Sequence, residues 1–171
     1  RPGFVEQVQR MRERVTAHIP PDQVDFQIKL GPGGLRDIEF TIQLLQLVHG
    51  AQDASVRNLD TLGALQALSD AGYVGRSEAA EFDHAYRTLR VLEHRIQLGA
   101  LKRSHVMPRD EESLRVLARH TKLADTAEGL VDQWRGIQRS VRSLHERLFY
   151  RPLLSAVASL DDHGVELSSE Q

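Results

Sequence analysis

The stretch KLGPGGLRDIEF, residues 29–40, joins an extended segment to the most apolar helical pattern of the chain. A proline and two glycines at positions 32–34 indicate a turn, because glycine adopts backbone angles that other residues avoid and proline fixes a bend. An arginine, an aspartate and a glutamate follow within five residues. Acidic side chains stabilise the first turn of a helix. The stretch therefore predicts a tight turn that leads directly into a helix.

The segments on either side of this turn differ in their apolar pattern. Residues 35–49 are predicted to be helical and buried at the centre of a bundle, because their apolar residues wrap most of the circumference. Residues 24–30, VDFQIKL, alternate apolar and polar side chains, which predicts one short strand or extended segment. A single strand cannot form a sheet, so its partners lie outside this chain or the segment is a connector.

The remainder of the chain shows helical periodicity. Apolar residues recur at spacings of three and four over about 59–71, 77–100 and 125–150, and a shorter helix starts near Asp110. Gly72 is predicted to end the second helix and Ser77 to cap the third. The last helix carries an apolar heptad pattern of Leu130, Trp134, Ile137, Val141, Leu144 and Leu148. We predict an all-α fold, a bundle of five to seven helices with one short N-terminal strand or extended segment.

Composition argues against several classes of function. A net charge of −2 argues against a basic face for nucleic acid. The chain has no cysteine, which excludes disulfides and thiolate metal sites and fits a reducing cytoplasm. No apolar run approaches the roughly 18 residues that a membrane span requires. The eight histidines lack metal-ligand spacing. The first residues do not resemble a signal peptide, and the start at Arg1 leads us to expect a segment of a longer polypeptide.

The glycine turn supports two interpretations. Entry into a helix leaves three or four backbone N–H groups exposed at the positive end of the helix dipole, where phosphate groups bind. On this interpretation the phosphate-binding or nucleotide-binding residues are Lys29, Gly33, Gly34 and Arg36. The spacing is neither that of a P-loop nor that of the dinucleotide fingerprint. On the other interpretation the glycines only form the turn, and Asp37 and Glu39 complement the helix dipole.

Glu93 is a carboxylate on the apolar side of the third helix. It lies on the same stripe as Leu89 and Ile96, so it points towards the core. A charge in that position requires a partner. We expect a buried ion pair with an arginine of a neighbouring helix, such as the last one.

Four segments carry a resemblance to a known family: KLGPGGLRDIEFTIQLLQLVHG (29–50), TLGALQALSDAGY (61–73), AYRTLRVLEHRIQL (85–98) and SLHERLFYRPLL (143–154). Together they closely resemble the bifunctional glutamine synthetase adenylyltransferase/adenylyl-removing enzymes. A looser version of GGLRD occurs in PII uridylyltransferases. The resemblance implies two nucleotidyltransferase halves, each followed by a helical domain. The N-terminal half removes AMP from a tyrosine of glutamine synthetase by phosphorolysis, and the C-terminal half attaches AMP from ATP.

The sequences GPGGLRDIEF and LFYRPLL resemble those of the helical domain that follows the deadenylylating half. The resemblance therefore implies that residues 1–30 are a remnant of, or linker from, the preceding nucleotidyltransferase domain and that residues 31–160 are the helical bundle. The polar sequence of residues 161–171 predicts a disordered tail. Phosphates of the nucleotide, or the phosphorolytic phosphate, would lie at the domain junction. Asp37 and Glu39 would orient Arg36 or bridge domains, and Glu93 would be structural.

One departure from the family pattern concerns catalysis. The family's signature is a Gly-Ser turn followed by Asp-x-Asp, whose carboxylates hold two magnesium ions, and this chain contains neither. The resemblance therefore implies a non-catalytic domain with no metal or cofactor of its own, while Mg²⁺ and ATP serve the parent enzyme in the cytoplasm. Implied partners are glutamine synthetase, the PII signal protein and the preceding nucleotidyltransferase domain, but neither nucleic acid nor membrane. The alternatives are a helical domain of a PII uridylyltransferase-like protein and a pure protein-interaction module without a ligand site.

Overall fold

The computed structural model describes residues 10–11, 13–100 and 104–150, and over these ranges the fold is all-α, as predicted. The main helices are α1 (Leu35–His49), α2 (Thr61–Asp70), α3 (Arg76–Ala100), α4 (Glu111–Thr121) and α5 (Ala127–His145), and α5 continues into one π-helical turn (Glu146–Tyr150). Two short 3₁₀ turns lie at Val24–Phe26 and Ala54–Val56. None of the helices in the described ranges has the length and apolar character needed to cross a bilayer.

The helix α5 lies at the centre of the packing. It contacts α1, α3 and α4, and the predicted heptad pattern accounts for this position. Trp134 is almost fully buried, and Leu148, in the π-helical turn, is half-buried against the core. The other buried members of the pattern are Leu130, Ile137, Val141 and Leu144. The heptad prediction is confirmed, because spacings of four and three keep these side chains on one face.

The strand predicted over residues 24–30 is not formed. The segment starts as the 3₁₀ turn Val24–Phe26 and then makes a single antiparallel bridge between Gln27 and Val106. One bridge cannot extend into a ladder, because the chain turns away at the glycines that follow. The segment is not extended either, since only Gln27 bridges and residues 28–30 form a turn, so it is a connector between the 3₁₀ turn and α1.

The residues before the glycine turn contribute to the bundle core. Ile28 is fully buried in the same hydrophobic cluster as Leu35, and its N–H donates to His105 O at 2.8 Å. A domain boundary at residue 30 stays a prediction, as does the domain division as a whole. The predicted tail, residues 161–171, lies outside the described residues.

Three details of the helix predictions are wrong. The helix α1 is not buried all round, since Leu47 and Val48 are exposed near its C-terminal end. The helix α2 begins at Thr61, so Leu59 precedes it and is exposed rather than packed inward. The helix α3 begins at Arg76, which places Ser77 inside the first turn rather than at the cap. Each error concerns a helix end, where periodicity carries the least information.

Candidate functional site

The backbone N–H groups of the glycine turn are hydrogen-bonded within the protein. The amides of residues 34–37 donate to backbone carbonyls of residues 28–34 over N–O distances of 3.0–3.2 Å. The Gly33 N–H donates to Asp37 Oδ2 at 2.8 Å. The prediction that several amides of this turn face solvent is therefore wrong. The preceding segment folds back and supplies the acceptors that the oxygens of a bound phosphate would otherwise provide.

Gly33 brings the backbone of the turn onto the backbone of α5. Its φ of +74° lies in the left-handed region, which favours glycine. A Cβ added at this position would lie 2.3 Å from Gln138 O and 2.8 Å from Gln138 Cα. No side chain fits these distances unless the two backbones separate. The glycine is therefore required for conformation and for close packing.

A buried polar network continues from the turn to the end of α5. Thr41 Oγ1 donates to Asp37 O at 2.7 Å and also lies 2.7 Å from His145 Nδ1. A hydroxyl has one proton, so when Thr41 Oγ1 donates it to Asp37 O, His145 Nδ1 is the donor in its contact with Thr41 Oγ1. All three residues are buried. We call the set Gly33, Asp37, Thr41, Gln138 and His145 the turn contact.

The basic side chains that were predicted to bind phosphate are less buried than the turn. Lys29 is half-buried, and Arg36 Nη1 lies 3.5 Å from Glu39 Oε2 while its guanidinium stacks over Phe40 at 5.4 Å. Arg36 Nε is buried without a hydrogen-bond partner among the described residues. Binding of phosphate by Lys29, Gly33, Gly34 and Arg36 stays a prediction, and with the amides occupied it depends on the two side chains.

Glu93 is buried and paired, but not with an arginine of α5. Its carboxylate accepts from Arg90 Nη1 at 2.8 Å, one turn earlier on α3, and lies 2.8 Å from His105 Nδ1. The predicted partner is wrong because this side of α3 faces the segment around His105. That segment pairs with residues 26–28, so Glu93 helps to hold the chain that enters the glycine turn.

A cleft lined by arginines, which the sequence interpretation missed, lies between the glycine turn and α5. Its volume is about 120 Å³, and we call it the arginine cleft. It is lined by Asp25, Pro32, Arg135, Gln138, Arg139 and Arg142. The spacing of the three arginines, four and then three residues, was the available signal, since it places them on one helix face.

No metal site is found in the described ranges. In residues 10–11, 13–100 and 104–150, no three histidine, aspartate or glutamate side chains form a group that could hold a metal ion.

The family model described as GlnD PII-uridylyltransferase matches residues 4–149 of the chain. A bifunctional glutamine synthetase adenylyltransferase/adenylyl-removing enzyme of Leifsonia xyli subsp. xyli is 62% identical over 170 residues, which are 99% of this chain and 17% of that enzyme. Enzymes of the same name from Streptomyces coelicolor and Corynebacterium diphtheriae are 55% and 46% identical, over 99% and 98% of the chain and 17% of each enzyme.

The chain thus spans 17% of the length of these curated relatives. The matched ranges include the glycine turn, the turn contact and the arginine cleft, so all three belong to the similar segment. The chain belongs to the GlnD PII-uridylyltransferase family and corresponds to one segment of proteins named bifunctional glutamine synthetase adenylyltransferase/adenylyl-removing enzyme.

Proposed function

We propose that the chain is the helical, non-catalytic domain of a bifunctional nucleotidyltransferase that adenylylates and deadenylylates glutamine synthetase in nitrogen regulation. It acts in the cytoplasm and belongs to the deadenylylating half. The observation that carries the proposal is the 62% identity over nearly the whole chain to one segment of an enzyme with that name. The absence of Gly-Ser and Asp-x-Asp in the sequence supports a non-catalytic role. Mg²⁺ and ATP serve the nucleotidyltransferase domains of the parent, whose carboxylates hold the metal.

The turn contact suggests how such a domain supports a neighbouring active site. The segment before the turn is held by backbone bonds to residues 105–107, and the turn itself is held on α5. A domain preceding this segment is thereby joined to a rigid part of the bundle. Rigid placement of a supporting element matters, because small displacements of reacting groups slow catalysis strongly. Glutamine synthetase and the PII signal protein are the partners that we assign to the parent enzyme.

The proposal is tested in the full-length parent enzyme with Gly33→Ala. We expect deadenylylation to slow at least about tenfold and adenylylation to change less than about twofold, because the disturbed junction adjoins only one half. Gly72→Ala is the matched control, since Gly72 also has a positive φ but no atom lies within 4 Å of an added Cβ. Loss of adenylylation with deadenylylation intact would assign the chain to the other half. An unchanged enzyme would contradict a supporting role.

The nominated phosphate ligands have a separate test. In the same enzyme, Arg36→Ala should raise the KM for phosphate in deadenylylation about tenfold if the side chain binds the phosphate. Arg119→Ala, at an exposed position in the last turn of α4, is the control. An unchanged KM would favour the alternative, in which the turn contacts only protein and the domain is an interaction module.

A further inference from the structure

We propose that the arginine cleft binds a phosphate-type oxyanion, with Arg135, Arg139 and Arg142 as its ligands. This inference concerns residues outside the set nominated from the sequence, and it does not depend on the proposed function. The ligand is either free phosphate or the phosphate group of a nucleotide, which share the same chemistry.

Arg135 is held in place before any ligand arrives. Its guanidinium stacks 4.5 Å from the ring centre of Trp134 and 5.2 Å from that of Phe26. Its Nη1 donates to Gln138 Oε1 at 2.9 Å and to Asp25 O at 3.2 Å. A guanidinium oriented in this way loses little conformational entropy when it binds an oxyanion, and its remaining N–H groups are available as a fork.

Arg139 and Arg142 supply charge that no described residue neutralises through an ion pair. Both are exposed, and among the described residues neither has an ion pair or a side-chain hydrogen bond. Residues 133–145, QWRGIQRSVRSLH, contain three arginines and no aspartate or glutamate. Complementing the helix dipole explains Arg142, which lies in the last turn. It does not explain Arg135 and Arg139, because the dipole effect is confined to that turn.

The shape of the cleft suits a small anion. Its volume of about 120 Å³ is several times the roughly 10–15 Å³ that a cavity needs to hold one water molecule, enough for a tetrahedral oxyanion with some of its waters. Asp25 places one exposed carboxylate at the rim. That carboxylate should oppose anion binding, so removing its charge should strengthen the binding that removal of the arginine charges weakens.

The experiment is a titration of the full 171-residue chain, followed by amide NMR shifts at constant ionic strength. The probes are inorganic phosphate, ADP and adenosine. We expect saturable shifts near Gln138 with a Kd on the order of 1 mM for phosphate. The double variant Arg139→Gln/Arg142→Gln should weaken binding at least about tenfold, and Asp25→Asn should tighten it about threefold. Arg119→Gln is the matched control and should bind like the unmodified chain.

The probes distinguish the two sources of the oxyanion. Tighter binding of ADP than of phosphate, with competition between them, identifies a nucleotide phosphate, and equal or weaker binding of ADP identifies free phosphate. Shifts with adenosine at the same residues would overturn the proposal, since adenosine carries no oxyanion. The proposal would also be overturned if the double variant bound phosphate as tightly as the unmodified chain, or if Arg119→Gln lost as much affinity as the double variant. Shifts that do not saturate would overturn it as well. Melting temperatures verify that all variants are folded, and we expect no loss because the substituted side chains are exposed.

Discussion

The first backbone N–H groups of a helix need acceptors from outside the helix, and α1 obtains them differently from α2, α4 and α5. At three helices a side chain next to the first turn caps the backbone: Asp60 accepts from Gly63 N at 2.7 Å, Asp110 from Ser113 N at 2.8 Å, and Thr126 from Gly129 N at 3.0 Å. The helix α1 has Gly34 at its N-cap and no side-chain cap. Its first amides are satisfied by carbonyls of residues 28–34.

The difference shows what each kind of helix start can do. A side-chain cap is local, and it stabilises one helix whatever surrounds it. The α1 start exists only when residues 28–31 fold back and Gly33 rests on α5. The first kind sets a helix boundary, whereas the second fixes the relative position of parts of the chain that are about 100 residues apart, as in the Thr41–His145 pair. Changes at the α1 start should therefore cost more than changes at a local cap.

The largest effect is expected from Gly33→Ala. The added Cβ overlaps Gln138 and the positive φ is strained, so the free energy of unfolding should fall by about 3 kcal/mol. Gly72→Ala, which meets only the strain, should cost about 1 kcal/mol. Urea unfolding of the chain measures both. Equal losses in the two variants would show that close packing on α5 contributes nothing.

Thr41→Val should have the next largest effect. The substitution keeps the shape but removes the hydroxyl, and with it the buried hydrogen bonds to Asp37 O and His145 Nδ1. We expect a loss of about 2 kcal/mol in urea unfolding. Thr41→Ser retains the hydroxyl and should keep the network, at the smaller cost of one buried methyl group, about 1 kcal/mol. A valine variant more stable than the serine variant would contradict the role assigned to the hydrogen bonds.

A local cap provides the comparison. Thr126→Ala removes the acceptor for Gly129 N at the start of α5 and should cost about 1 kcal/mol. The difference from Gly33→Ala is the quantity of interest, because both substitutions act at the start of a helix or directly before it. If Thr126→Ala proved the more damaging of the two, the distinction between local and long-range helix starts would fail.

The smallest effect concerns the pH dependence of the cap at α4. Hydrogen bonds from the side chain and backbone of Ser113 hold the pKa of Asp110 below its usual value of 3.8. A lowered pKa in the folded state means that the charged cap stabilises the fold above pH 3.8 and that this contribution is lost as the pH falls through the folded value. Asp110→Asn keeps a capping oxygen without a charge.

The melting temperature of the unmodified chain minus that of Asp110→Asn should therefore be constant above about pH 5 and decrease as the medium is acidified below it. Thermal unfolding between pH 3 and pH 7 measures this difference. If this difference in melting temperature increased on acidification, the charged form of Asp110 would not be the stabilising one, contrary to its lowered pKa.

The sequence predicted the elements of this fold better than their contacts. The helix over residues 35–49 was predicted with its observed bounds, because a glycine turn precedes it and its apolar pattern is helical. Asp110 and Gly72 were predicted at the ends of helices, since both act through local chemistry. Apart from the helix ends and the strand that is not formed, the failures are tertiary. Periodicity shows which face of a helix is apolar but not which segment covers it, so the partners of Glu93 could not be derived.

The site illustrates the same limit. GPGG and the charges after it suggested free amides, because a helix start leaves its N–H groups unpaired when only the local sequence is considered. The acceptors come from a segment that folds back, and the contact of Gly33 with Gln138 joins residues 105 positions apart. The arginine cleft depends on that contact, since one side of it is the turn and the other is α5.

The most direct test of this account is amide hydrogen exchange at Gly33, Leu35 and Arg36 in the chain, measured with and without inorganic phosphate. If the turn is a packing element whose amides are satisfied internally, all three exchange slowly without phosphate. Phosphate then leaves their rates unchanged in the Arg139→Gln/Arg142→Gln variant, in which the arginine cleft no longer binds the anion. Fast exchange without phosphate, followed by protection when phosphate is added, would contradict the account and show that the turn is an anion cradle.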